Sequence, residues 1–378
     1  MKLRPLFHTS LGGMAALLAS FAHGSTPAER WVVQPTVGLL TPRAAHKVTV
    51  ISPDAVLVTG GCSGTGCAPV ERSAELFYFN KGITQATQPM SVPRVSHVAA
   101  PLQNGSVLIA GGWTGEATTS SAEIFDARTR SFLPVTAMTT PRMDATATPL
   151  LEGAVLIAGG ATATNRPVRQ AEIFDHEKGR FVAVGSMHEA RVHHAAVRLS
   201  DGRVLIIGGQ GGRNAAISSA EIYDPAARSF TMTGTMRQPR CKHGAVLLKD
   251  GRVMVVGGSS DGNERRRIAQ TEIYDPQSGQ FIPGPELLNP RYKIIDAATV
   301  LPSGEVVVTG DANDVEVWLP GTPGFVRVSG RVDRRLAFST ATLLPDTSVL
   351  VIGGYDNDIR PTAQTWVIRH QKTSSNRD

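Results

Sequence analysis

Short apolar runs that end on glycine punctuate the chain at nearly even intervals. They read VLVTGG to Gly61, VLIAGG to Gly112, VLIAGG to Gly160, VLIIGG to Gly209, VMVVGG to Gly258, VVVTGD to Asp311 and VLVIGG to Gly354. Their first glycines, Gly60, Gly111, Gly159, Gly208, Gly257, Gly310 and Gly353, stand 51, 48, 49, 49, 53 and 43 residues apart. A fixed period of this length marks a repeat architecture.

Each unit predicts four strands. The first alternates apolar and polar positions shortly after an arginine, as in HGAVLL from His243. A tight turn follows, with pairs such as Asn104-Gly105, Asp201-Gly202 and Asp250-Gly251 that suit the φ > 0 positions of a two-residue hairpin. The apolar run is the second strand. The third is AELFYFN, AEIFD, AEIFD, AEIYD, TEIYD, VEVWL or QTWVI, and the fourth carries Phe132, Phe181, Phe230, Phe281, Phe325 or, more weakly, Ile83. The seventh unit ends near Arg369 without a fourth strand. Trp31-Val32-Val33, ahead of Leu40-Thr41-Pro42-Arg43, matches the segment from Phe132 to Arg142 and supplies it. The expectation is therefore an all-β, seven-bladed propeller of four-stranded blades over residues 25–370, closed by the N-terminal strand. Radial repetition of this kind protects sheet edges.

Composition alters this picture little. Among 378 residues 41% are hydrophobic and 19% charged, with 38 Gly and 24 Pro. That is a turn-rich chain with ample apolar residues for a core. The net charge of +6 is scattered, apart from the short run Arg265–Arg267. A nucleic-acid binder would gather it on one stripe, so no nucleic-acid partner is expected. No stretch is long and apolar enough to span a membrane. The first 24 residues do carry an address: Lys2 and Arg4, an apolar segment from Leu11 to Ala22, and the small-x-small site Ala22-His23-Gly24 before Ser25. This is the pattern of a secretory signal peptide. It predicts export to the periplasm or the extracellular medium. In an exported chain Cys62 and Cys67 look like a disulfide across a small loop, with a metal-binding pair as the alternative. Cys241 is left odd and is expected to be buried. Residues 371–378 form a polar tail, expected to be disordered.

The repeated elements Pro-Arg-x-x-His, Gly-Gly, Glu-x-Tyr-Asp and a later aromatic resemble the Kelch repeat. The third element is clean from Glu123, Glu172, Glu221 and Glu272; unit 1 has Glu75-Leu-Phe-Tyr, unit 6 has Glu316-Val-Trp, and unit 7 lacks the Glu. The resemblance implies a propeller and leaves activity open, since propellers host many functions. Galactose oxidase has a similar central propeller and binds copper with an adjacent Tyr-His pair among its ligands. None of Tyr78, Tyr223, Tyr274, Tyr292 or Tyr355 neighbours a His, so copper is not expected. Exported sialic-acid mutarotases resemble this chain in length but are six-bladed.

Strand order puts the loops after each glycine pair on the same face as the arginine-bearing segments, and variable loops on a rigid frame are where binding resides. Fourteen residues before each first glycine stand His46, His97, Ala145, His194, His243, Asp296 and Ser339. These are expected to ring the channel mouth. They offer a metal site or, as the Kelch consensus implies, hydrogen bonds between blades. Seventeen residues before it stand Arg43, Arg94, Arg142, Arg191 and Arg240, with Arg291 and Arg335 displaced by small insertions. Such arginines bind a carboxylate or phosphate bidentately, or else pair with the repeat glutamates inside the blades. Trp113 and Tyr355 break the symmetry after their glycine pairs, and Trp113 can stack on a sugar or pack on the next loop. The acidic loops around Asp261, Asp311, Asp314 and Asp356–Asp358 read as a solvated rim rather than a calcium site. No nucleophile-elbow, zinc-protease or phosphate-loop motif occurs. The sequence thus predicts a monomeric binding module for a protein or glycan, without metal or cofactor. A carbohydrate-active enzyme of mutarotase or epimerase type, working in the channel mouth, is the alternative.

Overall fold

A computed structural model describes residues 31–262 and 264–371; the predicted signal peptide and all but the first residue of the predicted tail lie outside the described residues. The described chain forms seven antiparallel sheets of four strands each. Blade 1 comprises Lys47–Ser52, Ala55–Thr59, Ala74–Tyr78 and Ile83–Ala86, in that spatial order. The first strands of neighbouring blades touch all the way round, including Thr340–Leu343 of blade 7 against Lys47–Ser52 of blade 1. A circle of sheets with a central channel results.

The core is divided into seven layers, one between each pair of blades. Val98, Leu108 and Ala110 of blade 2 meet Val155, Ile157 and Phe174 of blade 3. Val107 and Ile109, from the other side of the same blade 2 strand, meet Leu57 and Leu76 of blade 1. Each second strand is therefore covered on both faces, which is why it reads as an unbroken apolar run rather than an alternating one. Outside it, cross-strand aromatic pairs repeat: Phe125–Phe132, Phe174–Phe181, Tyr223–Phe230 and Tyr274–Phe281 have ring centroids 4.9–5.0 Å apart. Such tilted pairs contribute about 0.5–1.5 kcal/mol beyond their buried area.

The last blade is closed as the sequence predicts. Trp31–Thr36 pairs antiparallel with Thr365–His370, in register from Trp31 opposite His370 to Thr36 opposite Thr365. It is the outermost strand of its sheet, a position that tolerates Pro35. Trp31 and Val33 enter the layer between blades 6 and 7 beside Val317 and Trp366. The first and last described strands thus hold the ring shut.

Trp31→Ala should reduce stability by about 3–5 kcal/mol, read as a lowered urea midpoint by circular dichroism. An unchanged midpoint would mean that this strand does not close the ring.

Candidate functional site

The five arginines proposed as a ligand-binding ring do not face the channel. Arg43, Arg94, Arg142, Arg191 and Arg240 are each 0–1% exposed. Their guanidinium groups end on the glutamate of their own blade, at 2.7 Å for Arg43–Glu75, 3.1 Å for Arg94–Glu123, 2.8 Å for Arg142–Glu172, 2.7 Å for Arg191–Glu221 and 2.8 Å for Arg240–Glu272. Each also donates to the carbonyl of the first glycine in its blade, as Arg191 does to Gly208 at 2.8 Å. The carboxylates are shared further with the incoming loop: Glu221 accepts the backbone N–H of His188 at 2.7 Å. This is the structural alternative of the sequence reading, and it leaves no guanidinium face for a ligand. Arg291 repeats it with Glu316 at 2.8 Å. In blade 7 both partners vanish together: Leu336 and Trp366 are buried where the Arg and Glu would be. Arg335 points instead to Asp311 of blade 6. Retaining one member would strand a buried charge, which costs several kcal/mol.

The histidines are also internal. His97, His194, His243 and His46 pack against the first glycine of the preceding blade; a Cβ on Gly60, Gly159, Gly208 or Gly353 would lie 2.7–2.9 Å from the imidazole. His97 Nε2 hydrogen bonds Thr59 Oγ1 at 2.8 Å, and His194 Nε2 bonds Thr146 Oγ1 at 3.0 Å. These bonds cross between neighbouring blades, the role the Kelch resemblance implied. Burial first, then nearby arginines, pushes their pKa values down, to about 3 for His46 and His243 and well below the ordinary value for His97 and His194. Asp296 does not share their register. The two-residue insertion in unit 6 gives the histidine's place, three residues after the arginine, to Ile294, which packs on Gly257 as the imidazoles pack elsewhere. Asp296 stands in the channel, 44% exposed, and pairs with Lys47 at 2.7 Å. Among the described residues no group of three or more His, Cys, Asp or Glu is placed to hold a metal.

The true rim lies one residue before each histidine. Ala45, Ser96, Asp144, His193, Lys242, Lys293 and Phe338 all adopt left-handed backbone, with φ of 51–58°. Backbone bonds link them in sequence: Ser96 N–H to Ala45, Asp144 N–H to Ser96, Lys242 N–H to His193, Phe338 N–H to Lys293 and Ala45 N–H to Phe338. Between Asp144 and His193 the side chains face each other instead, with His193 Nδ1 3.6 Å from Asp144 Oδ1. Sequence reasoning passed over these positions. The signal was present: within Pro-Arg-x-x-His, this x changes chemistry in almost every unit while its neighbours repeat.

Three cavities stack along the axis. A bowl of about 440 Å³ opens on the loop face; Trp113, Phe338, Tyr355, Met143, Asp144 and His193 are among its walls. Below it Asp144, His193 and Phe338 also line a throat of about 40 Å³ that ends at Lys47 and Asp296. Below that a channel of about 410 Å³ runs between the first strands. Trp113 and Tyr355, predicted separately, share the bowl. Each follows its glycine pair and is pinned by bridges on both sides, Trp113 to Val95 and Thr118, Tyr355 to Ala337 and Pro361. Cys62 and Cys67 are disulfide bonded, and Cys67 forms part of the same wall. Cys241 is buried, and burial raises its thiol pKa to about 11. The imidazole of His193 is lowered to about 4, chiefly by burial, with Lys242 and Lys293 adding to the effect and Asp144 opposing it. Both lysine ammoniums lie 5.4 Å from the Tyr292 ring centroid and 5.9 Å from that of Phe338.

The Kelch motif matches residues 191–237, from the buried Arg191 through the fourth strand of blade 4. No curated protein matches the sequence at a significant level. The architecture is that of a seven-bladed β-propeller with a ligand-sized bowl over its channel. With the motif match, the chain is a Kelch-repeat propeller.

Arg191→Ala should cost about 3–5 kcal/mol by leaving Glu221 buried and unpaired, seen as a large fall in melting temperature. Near-wild-type melting would return the arginine to the ligand-binding candidates. The five lowered histidines also set a pH dependence. The unfolded chain takes up protons below about pH 6.5 that the folded rings refuse, so stability is complete above 6.5 and falls toward pH 4, by about 1.4 kcal/mol per pH unit for each such group. Melting curves from pH 7.5 to 4.5 should show the midpoint dropping steeply below 6.5, and a flat profile would contradict the buried neutral rings.

Proposed function

We propose that this propeller is an exported binding module that takes a carbohydrate in the bowl on its loop face. The Kelch propeller fold suggests an interaction module. The observation that carries the finer reading is the bowl itself: three aromatic side chains, Trp113, Phe338 and Tyr355, stand around Ser96, Asp144, Asn165 and His193. Aromatic faces cover the apolar side of a sugar ring, and the small polar groups meet its hydroxyls. Its volume suits a compact ligand within the usual 300–1,000 Å³ range of such sites. The N-terminal pattern of Lys2, Arg4, the apolar segment and Ala22-His23-Gly24 supports export.

The test is binding of the exported protein, with its N-terminus checked at Ser25 by mass spectrometry, to immobilised neutral and acidic oligosaccharides. Trp113→Ala should weaken retention at least tenfold without changing the melting temperature by more than a few degrees. Absence of binding to any saccharide would shift the reading to protein recognition by the loops.

A further inference from the structure

The bowl has one acidic wall. Of the residues that line it, Asp144 is the one acidic residue, and no Lys or Arg is among them. Its side chain is only 15% exposed. Among the described residues no group donates a hydrogen bond to its carboxylate, and His193 Nδ1 at 3.6 Å is beyond hydrogen-bonding distance. A carboxylate has about four acceptor sites, and those of Asp144 open on the bowl.

We propose that Asp144 is the anchor of the site and accepts hydrogen bonds from neighbouring hydroxyls of the terminal residue of an uncharged saccharide, with His193 beside it. The proposal rests on the carbohydrate reading of the bowl and specifies its ligand. Charge weighs against the other classes. A cationic ligand would meet the field of Lys242 and Lys293, whose ammoniums lie 5.9 Å from the Phe338 ring centroid and help keep His193 unprotonated. An anionic ligand would meet Asp144 itself. Hydroxyls satisfy the carboxylate and carry no net charge into either field. A ring-like apolar face beside those hydroxyls fits against Trp113 and Tyr355.

The depth of the site gives the word terminal. Beneath Asp144 the throat holds about 40 Å³, room for a water or two but not for a sugar ring. Lys47 and Asp296 close it from blades 1 and 6, reaching past blade 7 to pair at 2.7 Å. A saccharide that enters the bowl cannot thread through the ring, so its end residue is the part that reaches Asp144. Asp144 does not form a nucleophilic relay with Ser96. Along the rim it stands between Ser96 and His193, where a relay would need the imidazole in the middle.

The experiment uses the full mature chain, its Asp144→Asn and Asp144→Ala variants and the Trp113→Ala variant on a printed array of neutral and acidic oligosaccharides. Each saccharide is present with a free terminal residue and with that residue extended by one more sugar. Asparagine tolerates the left-handed backbone at position 144 (φ 53°) as well as aspartate does, so Asp144→Asn should fold and melt like the parent. The expected result is binding of neutral saccharides, sensitive to extension, that falls at least tenfold in both Asp144 variants. If Asp144→Asn binds as tightly as the parent while Trp113→Ala does not, the anchor is wrong and the bowl reading survives. Preference for acidic saccharides, or indifference to extension, overturns the proposed ligand class. No binding to any saccharide removes both readings.

Discussion

One arginine in each of six blades joins two interactions on which the rest of the ring depends. Its side chain runs into its own blade, where Glu and a glycine carbonyl satisfy it away from water. Its carbonyl accepts the N–H of the second glycine of the blade before, from Gly61 to Arg94 at 2.8 Å round to Gly354 to Arg43 at 2.8 Å. A side chain on the first glycine would collide there, since a Cβ on Gly60 would stand 2.3 Å from the Arg94 carbonyl oxygen. The glycine pair and the arginine are therefore two halves of one joint. A buried ion pair is of uncertain net worth compared with an apolar core, but removing one partner is always expensive. Blade 7 obeys that rule by losing both, and the neighbouring Arg335 pairs with Asp311 of blade 6.

This joint has a consequence for binding. The residue two positions after the arginine, or after Leu336 in blade 7, adopts left-handed backbone and stands at the channel mouth. Seven such residues meet there. The frame spends its repeated chemistry on holding them still and leaves their side chains to vary. The mouth is accordingly asymmetric: Asp144 and His193 on one side, Lys242, Lys293 and Phe338 on the other. Trp113 and Tyr355 occupy a second tier above, held by Val95 and Ala337, which follow Arg94 and Leu336. A rigid ring with varied positions at its mouth has the general form of a binding site built on a repeat.

Charge balance keeps the interior neutral where it is dry. The repeat imidazoles sit against glycine and stay uncharged because burial and the adjacent arginines disfavour a second cation. The wet axis instead holds the Lys47–Asp296 pair and the Asp144 carboxylate. Polar groups that can be satisfied internally are sealed in the blades, while those left to a ligand or solvent line the axis.

The sequence alone determined the number of blades, their strand order and the closing strand, because periodicity, turn pairs and apolar runs are local signals that repeat seven times. It also singled out Trp113 and Tyr355, which interrupt that repetition. Tertiary structure decided where each repeated polar residue faces. Arg43 and its equivalents could serve a ligand or the blade, and only the position of Glu75 and the glycine carbonyl in space assigns them to the blade. Asp296 was misplaced because counting back from glycine cannot see a two-residue insertion, whereas packing puts Ile294 on Gly257. Asp144 and His193 are 49 residues apart in the chain and become neighbours only when two blades stand side by side. Adjacency across a ring is set by closure, and no local pattern encodes which unlike residues closure will bring together.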